Sequence, residues 1–271
     1  MRSRFFRVAL AAVSAIAAAC SDSTTAAGTG QLTVQLTDAP VGSIQSAVVF
    51  ISRIYLIGGS DSTGSQITIS STPAQYDVLN FQGAVTAALG SATVPVGTYT
   101  QMRLKVDSAR ITLVSPLTFS TGGSTKTLVI PSGQQTGVKV VFGGPVTVVP
   151  GETILVVDFD VSRNFVLTGP ASAPTGAIFK PVLHATVRNV AASVAGTVTP
   201  ASAKATLAAV TAANDTVATA IADTLTGTYK LWFLPPGTYT VTATGTAPST
   251  LALSKVITVR AAQDTTGVNF P

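Results

Sequence analysis

Short stretches in which apolar and polar residues alternate, each closed by Gly, Pro or Ser, recur along most of this chain. A side-chain period of two is what a strand with one buried face requires. Residues 31 to 37 alternate cleanly, with Leu32, Val34 and Leu36 predicted inward, and Asp38-Ala39-Pro40 ends them. Residues 47 to 57 form a longer β-branched run that suits a strand covered on both faces. Residues 98 to 106 place Thr100, Met102, Leu104 and Val106 toward the core and Gln101, Arg103 and Lys105 toward water. Further strands are predicted at 66–70, 76–81, 110–114, 126–130, 138–142, 153–161 and 178–187, and a helical turn or loop at 84–89. Strands at this spacing predict an all-β chain built as antiparallel sandwiches or a barrel.

Residues 154 to 161, Ile-Leu-Val-Val-Asp-Phe-Asp-Val, are the stretch around which the first domain is expected to form. Read as one strand, they face Leu155, Val157, Phe159 and Val161 one way and Val156, Asp158 and Asp160 the other.

The N-terminus reads as a targeting segment rather than as fold. Arg2, Arg4 and Arg7 precede an apolar run from Val8 to Ala18 that is short for a bilayer span. Ile16-Ala17-Ala18-Ala19-Cys20 resembles a lipobox, and Cys20 is the chain's only cysteine. The expectation is a lipoprotein signal peptide over 1–19, a signal helix cleaved before an acylated Cys20, and a flexible tether over 20–30. An ordinary secretory signal is the alternative. Ser21, by resemblance to a bacterial sorting rule, permits export to the outer membrane, so the expected address is the bacterial cell envelope with a membrane anchor at Cys20.

The chain carries 16 Lys+Arg against 11 Asp+Glu, a net +5. Cleavage removes Arg2, Arg4 and Arg7, leaving 13 against 11, or +2. The remaining basic residues are scattered singly, so no nucleic-acid partner is expected. With no second cysteine, stability must come from apolar burial.

Several short motifs together resemble a bacterial domain-of-unknown-function family, number 4382, found in secreted and lipid-anchored proteins. They are Leu36-Thr37-Asp38-Ala39-Pro40, Val94-Pro95-Val96-Gly97-Thr98-Tyr99, Ile130-Pro131-Ser132-Gly133, Val157-Asp158-Phe159-Asp160 and Lys180-Pro181-Val182. The resemblance covers roughly 30–188 and implies a fold and an address, but no activity. From about Ala191 the composition shifts to Ala and Thr. Residues 201–222 are Ala-rich, yet interleaved Thr and Val and the Asn214-Asp215 turn signal predict two strands instead of a helix. Gly227, Tyr229, Leu234, Pro235, Pro236, Gly237 and Tyr239 stand where carboxypeptidase regulatory-like, transthyretin-like modules carry their strand–turn–strand motif. Pro-x-Gly-Thr-Tyr-Thr occurs in both halves, at 95–100 and 235–240, and is read as shared turn chemistry. The expected layout is two consecutive antiparallel β-sandwich domains, Ig-like or transthyretin-like, over 31–189 and 191–271.

Catalytic groups are sparse. His184 is the only histidine and is placed on the outer face of a strand, and no nucleophile elbow or glycine-rich phosphate loop occurs. Asp158 and Asp160, spaced about 7 Å apart along a strand, are candidate Ca²⁺ ligands with Asp38. The structural alternative has Asp38 making a turn and the other two pairing with Arg103, Lys105 or Lys139. Trp232 is a candidate sugar-stacking platform or a partly buried ring. The expected function is a non-catalytic, lipid-anchored β-sandwich scaffold for adhesion or partner binding, its partner an envelope protein or a polysaccharide. A carbohydrate-binding or Ca²⁺-dependent module is the alternative.

Overall fold

The computed structural model describes residues 28–39, 42–58, 66–130, 136–245 and 252–271. The signal peptide, Cys20 and most of the expected tether lie outside these residues. Among the described residues 62 % are strand and 5 % helix, which makes the fold all-β.

The strands are β1 Thr29–Thr37, β2 Ile44–Gly58, β3 Gln66–Ser70, β4 Ala74–Asp77, β5 Ala87–Pro95, β6 Gly97–Leu113, β7 Thr125–Val129, β8 Val138–Phe142, β9 Val146–Val148 and β10 Glu152–Asp158. After the single helical turn α1 (Val161–Asn164) come β11 Phe165–Thr168, β12 Gly176–Phe179 and β13 Leu183–Val187. Eleven of these strands form one sheet with the path β3-β2-β6-β8-β13-β10-β1-β5. Its two end strands meet: a Cβ on Gly90 of β5 would stand 2.7 Å from Ser70 Cβ on β3. The sheet is therefore curled back on itself around one core, in the manner of a barrel. It is also mixed, because β1 runs parallel to β10 and β8 parallel to β13.

β10 lies between β13 and β1, and its burial comes from that central place. Leu155, Val156 and Val157 are all buried, as a strand covered on both faces requires. The strand stops at Asp158, however, not at Val161. Asp160 takes a left-handed backbone (φ 33°) and opens α1. Asp158 and Asp160 are therefore not successive outward residues of one strand.

Two other local expectations change. Ala87 to Leu89, expected to be helical or loop, begin β5 because β1 supplies a pairing edge. The strand expected at 76–81 ends at Asp77, whose carboxylate accepts hydrogen bonds from Ser46 Oγ (2.7 Å) and Ala47 N–H (3.0 Å), and a 3₁₀ turn over Val78–Phe81 follows. In β6, Met102, Leu104 and Val106 are buried as expected, but Thr100 is exposed and Tyr99 points inward. Pairing with β2 skips a residue between Gln101 and Tyr99, and that irregularity reverses the phase.

The second half contains β14 Ala192–Thr197, β15 Thr206–Val210, β16 Thr216–Ile221, β17 Thr228–Leu234, β18 Gly237–Thr244 and β19 Ala252–Val259. The pair β14-β17 and the sheet β16-β15-β18-β19 enclose a second, separate core. The Ala-rich stretch is two strands, with Leu207, Ala209, Ala218 and Ala220 inward. Residues 265–270 run beside β14, bridging Val194 to Thr265 and Val198 to Phe270. The motif common to both halves has one physical use. Tyr99 Oη donates to Pro95 O (2.8 Å), and Tyr239 Oη donates to Pro235 O (2.9 Å). Each tyrosine clamps the turn that delivers its own strand.

The two halves touch at Gly143 and Pro235. A Cβ on Gly143 would fall 2.5 Å from Pro235 Cγ, nearer than any real contact. Gly143→Val should therefore separate the halves, costing about 1–3 kcal/mol in strain or lost contact. The expected readout is a red-shifted fluorescence of Trp232, the only tryptophan, together with a larger radius of gyration in X-ray scattering. An unchanged spectrum and radius would show that the contact does not hold the halves together.

Candidate functional site

The outer face of the first sheet carries a polar row at one end. Thr37 pairs with Asp158 across β1 and β10, and Asp158 pairs with His184 across β10 and β13. Paired residues share a face, so the three side chains point away from the first core. The second half covers this row. His184 lies on the outer face as expected, but it is buried, because Asp215 and β16 close over it.

Thr37 Oγ1 faces the carbonyls of Phe81 (3.0 Å), Val85 (3.2 Å) and Gly83 (3.4 Å), which ties the 81–85 loop to the end of β1. Asp38 N–H donates to Phe81 O, and Phe159 N–H donates to Thr37 O. Asp38 Oδ1 accepts the N–H of Val161 at 2.8 Å. Its Oδ2 is buried and, among the described residues, meets no hydrogen-bond partner. Asp158 Oδ1 accepts the N–H of Asp160 at 3.1 Å. Asp160 is fully engaged: Oδ1 accepts from Ser162 Oγ (2.6 Å) and Oδ2 from Thr219 Oγ1 (3.2 Å) of the second half. Asn164 spans the loop behind, donating through Nδ2 to Phe159 O and accepting Val182 N–H at 2.8 Å.

Burial, followed by the charge on Asp158, raises the Asp38 carboxyl to about 8. Burial, followed by the charge on Asp160, raises Asp158 to about 8 as well, with the Asp160 N–H and Arg163 opposing. Both carboxyls hold protons well above the ordinary carboxylate range. His184 is pushed the other way: burial lowers its proton affinity, and Asp215 opposes. His184 Nε2 stands 3.5 Å from Asp215 Oδ1 without completing a hydrogen bond.

These groups border a crevice of about 120 Å³ between the halves. Its walls are Thr37, Asp38, Gln82 and Asp158 from the first half, with Thr219, Lys230, Trp232 and Phe233 from the second. Trp232 is half-buried here, with Lys230 Nζ 3.9 Å from its ring centroid and the Phe233 centroid at 6.4 Å. One ring face is thus taken by a cation.

Asp38, Asp158 and Asp160 do come together, as the sequence suggested, but not as a set of metal ligands. Among the described residues no three His, Cys, Asp or Glu side chains converge on a point that could hold a metal. The basic residue beside them is Arg163, whose charge reaches Asp158 and whose Nη1 donates to Thr216 O. Of the partners expected from the strands, Arg103 instead caps the carbonyls of Thr136 and Gly137. Sequence reasoning missed Arg163, Asn164, Asp215 and Thr219. Only Asp215 carried a signal, and that signal was read as a turn.

The family model described as a domain of unknown function, DUF4382, matches residues 29–181. The chain belongs to this family. The DUF4382 region thus contains Asp38, Asp158, Asp160 and Arg163, and the crevice needs the following strands to be complete. No curated protein matches the chain. Two solved structures are similar over 89 % of it: the Bacillus anthracis TIE protein, at 10 % identity and a TM-score of 0.21, and BcpA, the major pilin subunit of Bacillus cereus, at 11 % and 0.22. The chain spans 33 % of the first and 70 % of the second. Likeness of that degree carries no argument about function.

Proposed function

We propose that this DUF4382 protein is a non-catalytic, lipid-anchored component of the bacterial cell envelope, in the outer membrane, whose two β units form one scaffold for adhesion or partner binding. The observation that supports this most is the join between the halves. Gly143 against Pro235, Arg163 on Thr216 and Thr219 on Asp160 hold the second unit at a set position on the first. A spacer with a set position presents surfaces to an envelope protein or a polysaccharide at a defined height. The second unit is proposed to be a carboxypeptidase regulatory-like module, supported by the Tyr239–Pro235 clamp within its Pro-Pro-Gly-Thr-Tyr turn.

The anchor is tested by palmitate labelling in a bacterial host. The wild type is expected to take up label and partition with membranes, and Cys20→Ala to do neither. A wild type that remains unlabelled and soluble overturns the anchor.

The second reading, a carbohydrate-binding module, is favoured by the half-buried Trp232 at the crevice. Sugars that stack there should change the fluorescence of this single indole.

A further inference from the structure

We propose that the crevice between the halves is a binding site for a primary alkylammonium group, the ammonium on Asp38 and Asp158 and the alkyl stem along Trp232 and Phe233. The inference does not depend on the lipid anchor or the scaffold reading.

Asp38 is only 4 % exposed, and its Oδ2 has no partner among the described residues. A buried oxygen left unpaired is costly, and native structures rarely leave one so. The charges that reach Asp38 are those of Asp158 and Asp160, with no cation among them. Arg163 acts on Asp158 and is committed to Thr216 O. Lys230 sits over the Trp232 ring and 3.6 Å from Asp264 Oδ2. The unpartnered Asp38 oxygen therefore asks for a hydrogen-bond donor, and once Asp38 and Asp158 give up their protons the crevice has an unmatched negative end that a cation from outside the chain would neutralise.

Size and donor set choose the cation. A cavity of about 120 Å³ equals roughly four times the 30 Å³ share of a liquid water. That admits an aminoalkyl head but not a drug-sized ligand, which needs ~300 Å³ or more. Calcium takes six to eight oxygens, whereas among the described residues no three His, Cys, Asp or Glu side chains converge on a point that could hold it. An ammonium needs three acceptors, and carboxylate, amide and hydroxyl oxygens all serve. Asp38, Asp158, Gln82 and Thr37 supply them on the crevice wall. Trp232 and Phe233 provide an apolar flank on which methylenes lie while the charged head goes to the acids. Two sources share this chemistry: a lysine side chain of another protein and a free polyamine.

The probe is n-butylammonium chloride, added to the full chain in non-ionic detergent at constant ionic strength. The expected result is a saturable change in Trp232 fluorescence and a melting point raised by a few degrees. Sodium chloride should give neither, and Asp38→Asn should abolish both. Asp158→Asn is the second variant, should the first fail to fold. No response to n-butylammonium, a response that sodium reproduces, or one that survives both variants overturns the proposal. So does a Ca²⁺-dependent rise that needs Asp38 when n-butylammonium is silent. With the site established, Nα-acetyl-lysine amide competing better than spermidine identifies a protein lysine as the source, and the reverse identifies a polyamine.

Discussion

Phe159→Ala should be the most damaging single substitution at the crevice, costing about 3–5 kcal/mol. Phe159 is fully buried. Its ring packs against Phe165 and Phe179, with centroids 6.5 and 6.0 Å away. Truncation leaves a cavity between these rings that the backbone cannot close, because Phe159 N–H is held by Thr37 O and Phe159 O by Asn164 Nδ2. The same turn carries Asp158 and Asp160, so the crevice should loosen with the core. Urea unfolding followed by circular dichroism reads the loss directly. A cost below about 1 kcal/mol would mean that the three rings repack freely.

Asp38→Asn should change how stability depends on pH. The Asp38 and Asp158 carboxyls are raised from 3.8 to about 8 in the folded chain. The folded state therefore binds their protons more tightly than the unfolded state does. Their contribution is fully present below about pH 3.8 and is lost as pH rises through 8. His184 runs in the opposite sense. Its proton affinity is lowered, so its contribution is present above 6.5 and is lost as pH falls. Between pH 6.5 and 9 the wild type should therefore lose stability, each tenfold difference in proton affinity between the folded and unfolded states being worth about 1.4 kcal/mol. The groups around the pair are Asp160, Arg163, His184, Asp215 and Lys230. His184, whose proton affinity is lowered, is already neutral at the alkaline end. An amide at 38 keeps an acceptor for Val161 N–H and removes one ionising group. Thermal melts should therefore show the variant flatter with pH and more stable than the wild type at pH 9. A wild type whose melting point is level from pH 6.5 to 9 would contradict this account.

The strands were legible wherever one face is wet and one dry. Leu32, Val34 and Leu36 lie in the core as their alternation predicts. The two-strand reading of the Ala-rich stretch also holds, because Thr and Val disfavour a helix there and Asn214-Asp215 makes the turn. Alternation fails where a backbone irregularity intervenes. The slip in β6 that turns Thr100 outward leaves no mark in composition. The left-handed Asp160 likewise ends β10 inside a stretch that still alternates. The parallel pairing of β1 with β10 was hidden because register between distant segments is a tertiary property. For the crevice, the sequence supplied the three aspartates and Trp232 but not their juxtaposition. That required knowing that the face carrying His184 would be covered by the second half.

The parallel join of β1 to β10 has a further consequence, for the time the chain takes to fold. Thr33 Oγ1 donates to Glu152 Oε1 across 119 residues, and among the described residues β1 pairs within its sheet with β5 and β10 alone. A strand that must wait for a partner so far along the chain gives a high contact order, which places folding in the slow, millisecond-to-second range. Throughout that interval the apolar side of β1 stays wet and its edge unpaired. Until β10 arrives, that edge is a ready template for pairing with another chain.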